Sequence, residues 1–121
     1  MAEPKRTFDL EERTFEFAKR VRGFVKKLPR TLCNAEDAKQ LVRASGSVGA
    51  NYIEANEGLG KKDFRLRLKI SKKEAKECRY WLRLLDTGED KQREKEREAL
   101  MQEAKELINI LSAMVNKSGS S

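Results

Sequence analysis

Apolar residues recur along most of the chain at alternating steps of three and four positions, which is the spacing of one helix face. Four stretches carry this pattern, and it predicts helices over residues 9–28, 34–58, 61–86 and 90–116. The second stretch has predicted inward positions at Ala38, Leu41, Ser45, Val48, Tyr52, Ala55 and Leu59. No segment alternates with a period of two between turn signals, so strands are not predicted.

Capping and turn residues bound these four stretches. Asp9 is predicted to cap the first helix, which Pro29 ends. Asn34 is predicted to be the N-cap of the second helix, and Thr87 with Gly88 ends the third.

Four helices joined by short connections predict an all-α fold. Connections of a few residues make successive helices antiparallel, which gives an up-down-up-down four-helix bundle. We expect a single domain over residues 1–117 and a disordered tail over residues 118–121, where the sequence is small and polar.

Residues 43–58, RASGSVGANYIEANEG, combine glycines and small residues in a way that suggests a phosphate-binding loop. A phosphate loop, however, follows a strand and has a different glycine spacing. Gly46 and Gly49 instead fall three positions apart within the helical pattern. The stretch is therefore predicted to be a helix whose small residues allow a neighbouring helix to pack closely, with ligand binding as the weaker alternative.

A polar pair lies within the same stretch. Asn51 and Glu54 are three residues apart and share one helix face. Such a pair most often forms hydrogen bonds between helices or subunits, which is the role predicted here.

The composition limits the chemistry that the chain can perform. It has no histidine, which excludes the Glu-x-x-His ligands of a di-iron bundle and the Ser-His or Cys-His pairs of nucleophilic enzymes. Cys33 and Cys78 fit no zinc-ligand spacing and are expected to be reduced structural thiols. The sequence thus predicts a protein that is not an enzyme and uses no metal or cofactor.

The overall charge favours an anionic partner. Lys and Arg number 27 against 20 Asp and Glu, for a net charge of +7. There is no run of about 18 apolar residues, and the opening MAEPKRTF lacks the apolar segment of a secretory signal. We therefore expect a cytoplasmic protein that does not contact a membrane.

Most of the positive charge falls on the third predicted helix. Between residues 61 and 83 there are ten basic and three acidic residues, and this difference equals the net charge of the whole chain. Seven of the basic residues step by three and four positions and form what we call the basic stripe: Lys62, Arg65, Lys69, Lys72, Lys76, Arg79 and Arg83. It is predicted to extend about 30 Å along the helix.

An unmixed basic stripe favours nucleic-acid binding. Solvated helix faces usually mix signs because like charges one turn apart repel, so this stripe is expected to meet an anion such as a phosphate backbone. Pairing with acids of another subunit and plain solubility are the alternatives. The basic residues 19–27 could extend the surface, whereas residues 86–117, with six bases and eight acids, are not expected to.

The third predicted helix also carries apolar residues away from its core face. They are Leu66, Ile70, Trp81 and Leu84. Burial of this second apolar face in a neighbouring subunit is the predicted use, with Trp81 as its anchor. A broad core within one subunit is the alternative.

Two segments carry a family resemblance: SGSVGANYIEANEG at 45–58 and KKDFRLRLKISKKEAKECRYWLRLL at 61–85. They resemble the bacterial four-helix-bundle proteins called 23S ribosomal RNA intervening-sequence proteins. The resemblance implies a homo-oligomer, commonly a pentamer around a central channel, with no known enzyme activity. Many members are encoded within insertions in the 23S ribosomal RNA gene, which suggests RNA binding. The segment RYWLRLL is also similar to the accessory variability protein of diversity-generating retroelements, a basic pentamer that binds nucleic acid and a reverse transcriptase.

The function predicted from the sequence is therefore non-catalytic binding of RNA or DNA by an oligomer, through the basic stripe and with little sequence preference. The alternative is a protein-interaction scaffold that docks an acidic or nucleic-acid-bound partner such as a reverse transcriptase.

Overall fold

The computed structural model describes residues 9–58 and 60–119. Four helices make up the fold: α1 (Leu10–Val25), α2 (Leu32–Asn56), α3 (Lys61–Leu84) and α4 (Lys91–Gly119). No strand occurs within the described ranges. The predicted all-α, up-down-up-down four-helix bundle is confirmed.

Each helix contacts its two neighbours around the bundle. The contacting pairs are α1 with α2, α2 with α3, α3 with α4, and α1 with α4, so α1 lies diagonally across from α3. The predicted apolar faces meet in one core, which includes Phe17 of α1, Leu41 of α2, Leu82 of α3 and Leu107 of α4, all fully buried. Leu59, the last inward position predicted on the second helix, lies outside the described residues, as do residues 1–8.

The helix starts agree with the prediction at α1 and differ at α2. The Asp9 carboxylate accepts a hydrogen bond from the Glu12 amide at 3.3 Å and caps α1. The prediction of Asn34 as N-cap of α2 was wrong. Thr31 is the cap, because its extended backbone places its hydroxyl to accept from the Asn34 amide at 3.0 Å. The Asn34 side chain is buried and bridges two loops, donating to the Pro29 carbonyl and exchanging hydrogen bonds with the Asp86 backbone.

The last helix is longer than predicted. It runs through Gly119, so residues 118 and 119 are helical rather than part of the predicted tail. The Ser118 hydroxyl donates to the Val115 carbonyl at 2.9 Å within this last turn. Residues 120 and 121 lie outside the described ranges.

The glycine-rich stretch is helical as predicted from Arg43 to Asn56, where α2 ends. The predicted extension to Gly58 was wrong, because Gly58 has a positive φ of 56° and lies beyond the helix. A Cβ atom added at Gly49 would lie 2.8 Å from the Thr14 hydroxyl oxygen of α1, so the glycine permits this close approach of two helices. Gly46 has more room, since its nearest neighbour would be the Arg22 guanidinium at 3.5 Å. On the other side of α2, the Ser71 hydroxyl of α3 donates to the Val48 carbonyl at 2.7 Å. Small residues thus bring both neighbouring helices close to α2.

Candidate nucleic-acid interface

The basic stripe lies along the side of α3 that borders α4. Two of its members reach across to the α4 backbone: Arg65 donates through Nε to the Val115 carbonyl at 3.3 Å, and Arg79 to the Met101 carbonyl at 3.2 Å. A carbonyl oxygen is neutral, so these bonds fix the position of the guanidinium without cancelling its charge. The two arginines therefore remain cationic while being held in place.

The stripe is not neutralised by acids of the described chain. None of its seven cations has a carboxylate within 4.0 Å in residues 9–58 and 60–119. Four are exposed and one is half-buried, and these five make no side-chain hydrogen bond there: Lys62, Lys69, Lys72, Lys76 and Arg83. A stripe of positive charge is thus left for solvent or a ligand.

The three acids of α3 lie on a different side of the helix, the one facing α2. Asp63 lies 3.8 Å from the Arg67 Nε atom. Glu74, only 6% exposed, and Glu77 both accept hydrogen bonds from Arg43 of α2, at 3.3 and 3.4 Å. The charges of α3 are therefore segregated: paired toward α2 and unpaired toward α4.

Three acids of α4 form ion pairs with α1 or with the turn that follows it. Glu103 and Glu106 both pair with Arg13 at 2.7 Å, and Glu96 pairs with Lys27 at 2.7 Å. The hydrogen bond from Gln102, followed by that from Arg13, lowers the pKa of the Glu106 carboxyl. Although α4 is acidic as a whole, these pairs place much of its negative charge away from the stripe.

A cavity of about 360 Å³ lies between α3 and α4 at one end of the stripe. We call it the Tyr80 cavity, and it is lined by Lys76, Arg79, Tyr80, Arg83, Lys105 and Ile108. Lys105 therefore joins the basic surface, and the expectation that the fourth helix adds nothing to it was wrong. The acidic balance of residues 86–117 concealed this, because net charge does not tell which way each side chain points.

An exposed aromatic ring accompanies these cations. Tyr80 is 55% exposed, and its ring meets that of Trp81 edge-on, with 5.1 Å between centroids. Trp81 itself is half-buried against the bundle core, which supports the tyrosine from one side. Sequence reasoning missed Tyr80, although its place between Arg79 and Arg83 was a signal.

The basic segment 19–27 does not continue the stripe, because α1 lies diagonally across the bundle from α3. Several of them serve local contacts instead. Arg22 donates to the Ser45 hydroxyl at 3.2 Å, and the Lys19 ammonium lies 5.7 Å from the centre of the Phe15 ring.

Of the predicted polar pair, Asn51 makes the contact between helices. Its side-chain oxygen accepts from Arg67 of α3 at 3.3 Å, while its amide nitrogen donates to the Ser47 carbonyl. The Glu54 side chain is exposed and makes no hydrogen bond or ion pair with the described residues. The two side chains thus do not act together within the bundle.

The second apolar face of α3 is interrupted. Leu66 and Leu84 are 54% and 49% exposed, and Trp81 packs partly against its own core. Between Ile70 and Trp81, the Lys73–Glu77 ion pair at 3.8 Å occupies the same side of the helix. This face therefore offers two separate apolar areas rather than one continuous band.

A second apolar surface lies between α1 and α2. It is a groove of about 560 Å³ whose walls include the exposed side chains of Phe15 and Ile53 and whose floor includes Gly46 and Gly49. Nothing in the sequence pattern singled out this groove, because its two large side chains come from different helices.

The two thiols differ in their surroundings. Cys78 is buried in the core, and burial, reinforced by Glu74 and Glu77, raises the pKa of its thiol to about 12. It is therefore protonated near neutral pH and unsuited to act as a nucleophile. Cys33 is exposed near the start of α2, so it has no buried packing role.

The described helices contain no stretch that is both long enough and apolar enough to cross a bilayer.

Comparison with known proteins places this geometry in a family. A solved structure with the same fold is that of a protein of unknown function from the S23 ribosomal protein family of Bacteroides thetaiotaomicron. It is 28% identical, with a TM-score of 0.75, over 93% of this chain and 99% of that one. No curated protein matches the chain. A sequence profile described as 23S rRNA-intervening sequence protein matches residues 6–113, nearly the whole length. The chain therefore belongs to the 23S rRNA-intervening sequence protein family.

Proposed function

We propose that this protein is a non-catalytic, oligomeric nucleic-acid-binding protein that contacts the phosphate backbone through the basic stripe. The observation that carries the proposal is the segregation of charge on α3, where seven cations have no carboxylate within 4.0 Å in the described ranges. Closely spaced like charges repel one another, and a bound polyanion removes that repulsion.

Backbone contacts explain why little sequence preference is expected. Lysine and arginine side chains that pair with phosphates fix position and affinity but do not read bases. RNA is the first polymer to test, because the description of the family refers to an intervening sequence of 23S ribosomal RNA.

Charge reversal along the stripe tests the proposal. The triple variant Lys69→Glu, Lys72→Glu, Lys76→Glu is compared with the control Arg20→Glu, Lys26→Glu, Lys39→Glu. The control changes the net charge by the same amount, at sites on α1, at its C-cap and on α2. Fluorescence anisotropy with labelled RNA and DNA should show an affinity loss of tenfold or more for the stripe variant and a much smaller loss for the control. Equal losses, or no binding by the wild-type chain at low salt, would refute the proposal.

A pull-down from the native host separates nucleic-acid binding from the scaffold alternative. If nucleic acid links the chain to its neighbours, nuclease treatment should abolish their recovery. If an acidic protein or a reverse transcriptase is still recovered after nuclease treatment, the scaffold function is favoured instead.

Assembly is the second part of the proposal, with five subunits as the family resemblance implies. The protomer has two unlike apolar surfaces, one around Leu66 on α3 and one around Phe15 and Ile53 in the α1–α2 groove. Contact between unlike surfaces of successive copies generates a ring when the rotation closes. We therefore propose that the groove of one copy receives the outer face of α3 from the next.

Two variants test this head-to-tail arrangement. Leu66→Glu blocks one surface and Ile53→Glu the other, so light scattering should find each variant as a monomer. Because each keeps one intact surface, an equal mixture should form a dimer and stop there. Single variants that assemble to the wild-type mass, or a mixture that stays monomeric, would contradict the head-to-tail arrangement.

A further inference from the structure

We infer that the Tyr80 cavity binds one unpaired nucleotide, with its base against the Tyr80 ring and its phosphates among the surrounding cations. The inference rests on the proposed function and narrows it, since it makes single-stranded nucleic acid the preferred ligand of the stripe. The stripe alone, without the cavity, would bind single and double strands alike.

The cavity combines four cations with an aromatic and an aliphatic side chain, and no acid lines it. On α3, Lys76 and Arg83 lie four residues before and three residues after Tyr80, so both flank the ring on one side of the helix. Lys105 is the fourth cation and comes from α4. An anion bound beside Tyr80 would therefore be approached by cations from two helices.

Tyr80 is placed as a stacking platform rather than as part of the core. More than half of its surface is exposed, and the neighbouring Trp81 ring meets it edge-on at 5.1 Å. Proteins that bind single strands pair a basic groove with exposed aromatic rings, because every base has a π-face on which such a ring can stack.

Arg79 is held in position for the same task. Its Nε atom donates to the Met101 carbonyl at 3.2 Å, which ties the guanidinium to α4 at the wall of the cavity. A positioned guanidinium loses less side-chain freedom when it binds a phosphate. The cavity is an open depression of about 360 Å³, so a base can lie against the exposed Tyr80 ring from the solvent side.

The requirement for an unpaired base follows from geometry. In a duplex both faces of each base are covered by its neighbours, so Tyr80 could reach a base face only after unstacking it. A duplex is thus expected to contact the basic stripe but not the Tyr80 ring. A single strand is expected to contact both the stripe and the Tyr80 ring.

The single tryptophan provides a direct readout. Trp81 lies next to the Tyr80 ring, so a base stacked there should quench its fluorescence. The full-length chain is titrated at low salt with a labelled single-stranded RNA, the same strand with abasic residues, and a duplex of equal length. Anisotropy gives the affinity, and tryptophan emission reports occupancy of the cavity.

We expect three results for the wild-type chain and its variants. The intact single strand should bind at least about fivefold more tightly than the abasic strand and should quench Trp81. Tyr80→Ala should lose this advantage and leave duplex affinity unchanged, while Tyr80→Phe, which keeps the ring, should stay within about twofold of the wild type.

Two results would overturn the inference while leaving the proposed function intact: equal binding of intact and abasic strands by the wild-type chain, or equal weakening of single strand and duplex by Tyr80→Ala. The comparison of intact and abasic strands uses only the wild-type chain, so it tests base stacking on Tyr80 even if Tyr80→Ala alters assembly. Absence of binding to all three ligands would refute the proposed function itself.

Discussion

Residues 43–58 of α2 and the basic stripe of α3 are both rich in features that suggest phosphate binding, yet they differ in how their polar groups are used. In the α2 stretch, Arg43 pairs with Glu74 and Asn51 accepts from Arg67. Along the stripe, the cations have no carboxylate partner in residues 9–58 and 60–119.

The difference separates polar groups that hold the fold together from those left available for a ligand. Glu74, the partner of Arg43, is only 6% exposed, and removing the partner of such a buried group leaves a desolvated atom behind. An exposed cation with no partner contributes little to stability and can even oppose it. Substitutions in the α2 stretch should therefore change stability, and substitutions in the stripe should change binding.

The largest effect on stability is expected at Gly49. In Gly49→Ala, the new methyl group would lie 2.8 Å from the Thr14 hydroxyl oxygen, so the buried Thr14 side chain or its helix must shift. Overpacking of this kind costs about 1–3 kcal/mol. Chemical denaturation should show this loss, and RNA affinity extrapolated to the folded protein should not change.

Gly46→Ala is the matched control. Its methyl group would approach only the flexible end of Arg22, at 3.5 Å. Removing a helical glycine gains up to about 1 kcal/mol, so this variant should be as stable as the wild type or more so. Equal destabilisation by both substitutions would mean that close packing is not the role of Gly49.

A pH effect is expected from Cys78, on the core side of α3. Its thiol pKa is about 12 in the folded chain and 9.0 ordinarily, so folding favours the protonated form. The stabilisation is complete below pH 9 and is lost between pH 9 and 12, at no more than about 1.4 kcal/mol per pH unit.

The measurement is the free energy of unfolding of wild type and Cys78→Ala between pH 8 and 11. The wild-type curve should fall more steeply above pH 9 than that of the variant, because other titrating groups are common to both. Parallel curves would show that the thiol is not held in a closed core.

Two substitutions that replace a charged residue by glutamine compare the two sides of α3 directly. Glu74→Gln removes a buried carboxylate facing Arg43 and should cost about 1 kcal/mol of stability without changing RNA affinity. Lys72→Gln removes one stripe cation and should weaken RNA binding a few-fold while leaving stability within about 0.5 kcal/mol. A change in RNA affinity for Glu74→Gln and a loss of stability for Lys72→Gln would contradict the roles given to the two sides of α3.

The smallest effect is expected at Glu98. It lies seven residues before Lys105, and therefore on the same side of α4, and it is exposed with no ion pair in the described helices. Glu98→Gln should raise RNA affinity by about twofold at low salt and have no effect at high salt, because screening weakens the repulsion between Glu98 and the phosphates. Weaker binding by this variant would show that the RNA does not pass along this side of α4.

The bundle could be predicted from the sequence because burial follows the spacing of apolar residues. Leu41 and Val48 were assigned to the core on periodicity alone, and both are fully buried. The basic stripe was likewise readable, since all of its members lie on one helix and their spacing fixes their common face.

Features that depend on two helices could not be read in this way. The use of Asn34 as a bridge between loops depends on the position of Asp86, which lies 52 residues away along the chain. Lys105 and Tyr80 share a cavity only because α3 and α4 are antiparallel with a particular register. Local spacing carries no information about that register, so the cavity emerged only from the fold.

The salt dependence of RNA binding by the wild-type chain tests the central claim most directly. Each phosphate neutralised by the stripe releases counterions, so the logarithm of the association constant should fall linearly with the logarithm of salt concentration. Contact by most of the stripe predicts a slope steeper than about −3, using roughly 0.7 per phosphate for a single strand. A slope near zero, or no measurable binding at low salt, would contradict the account.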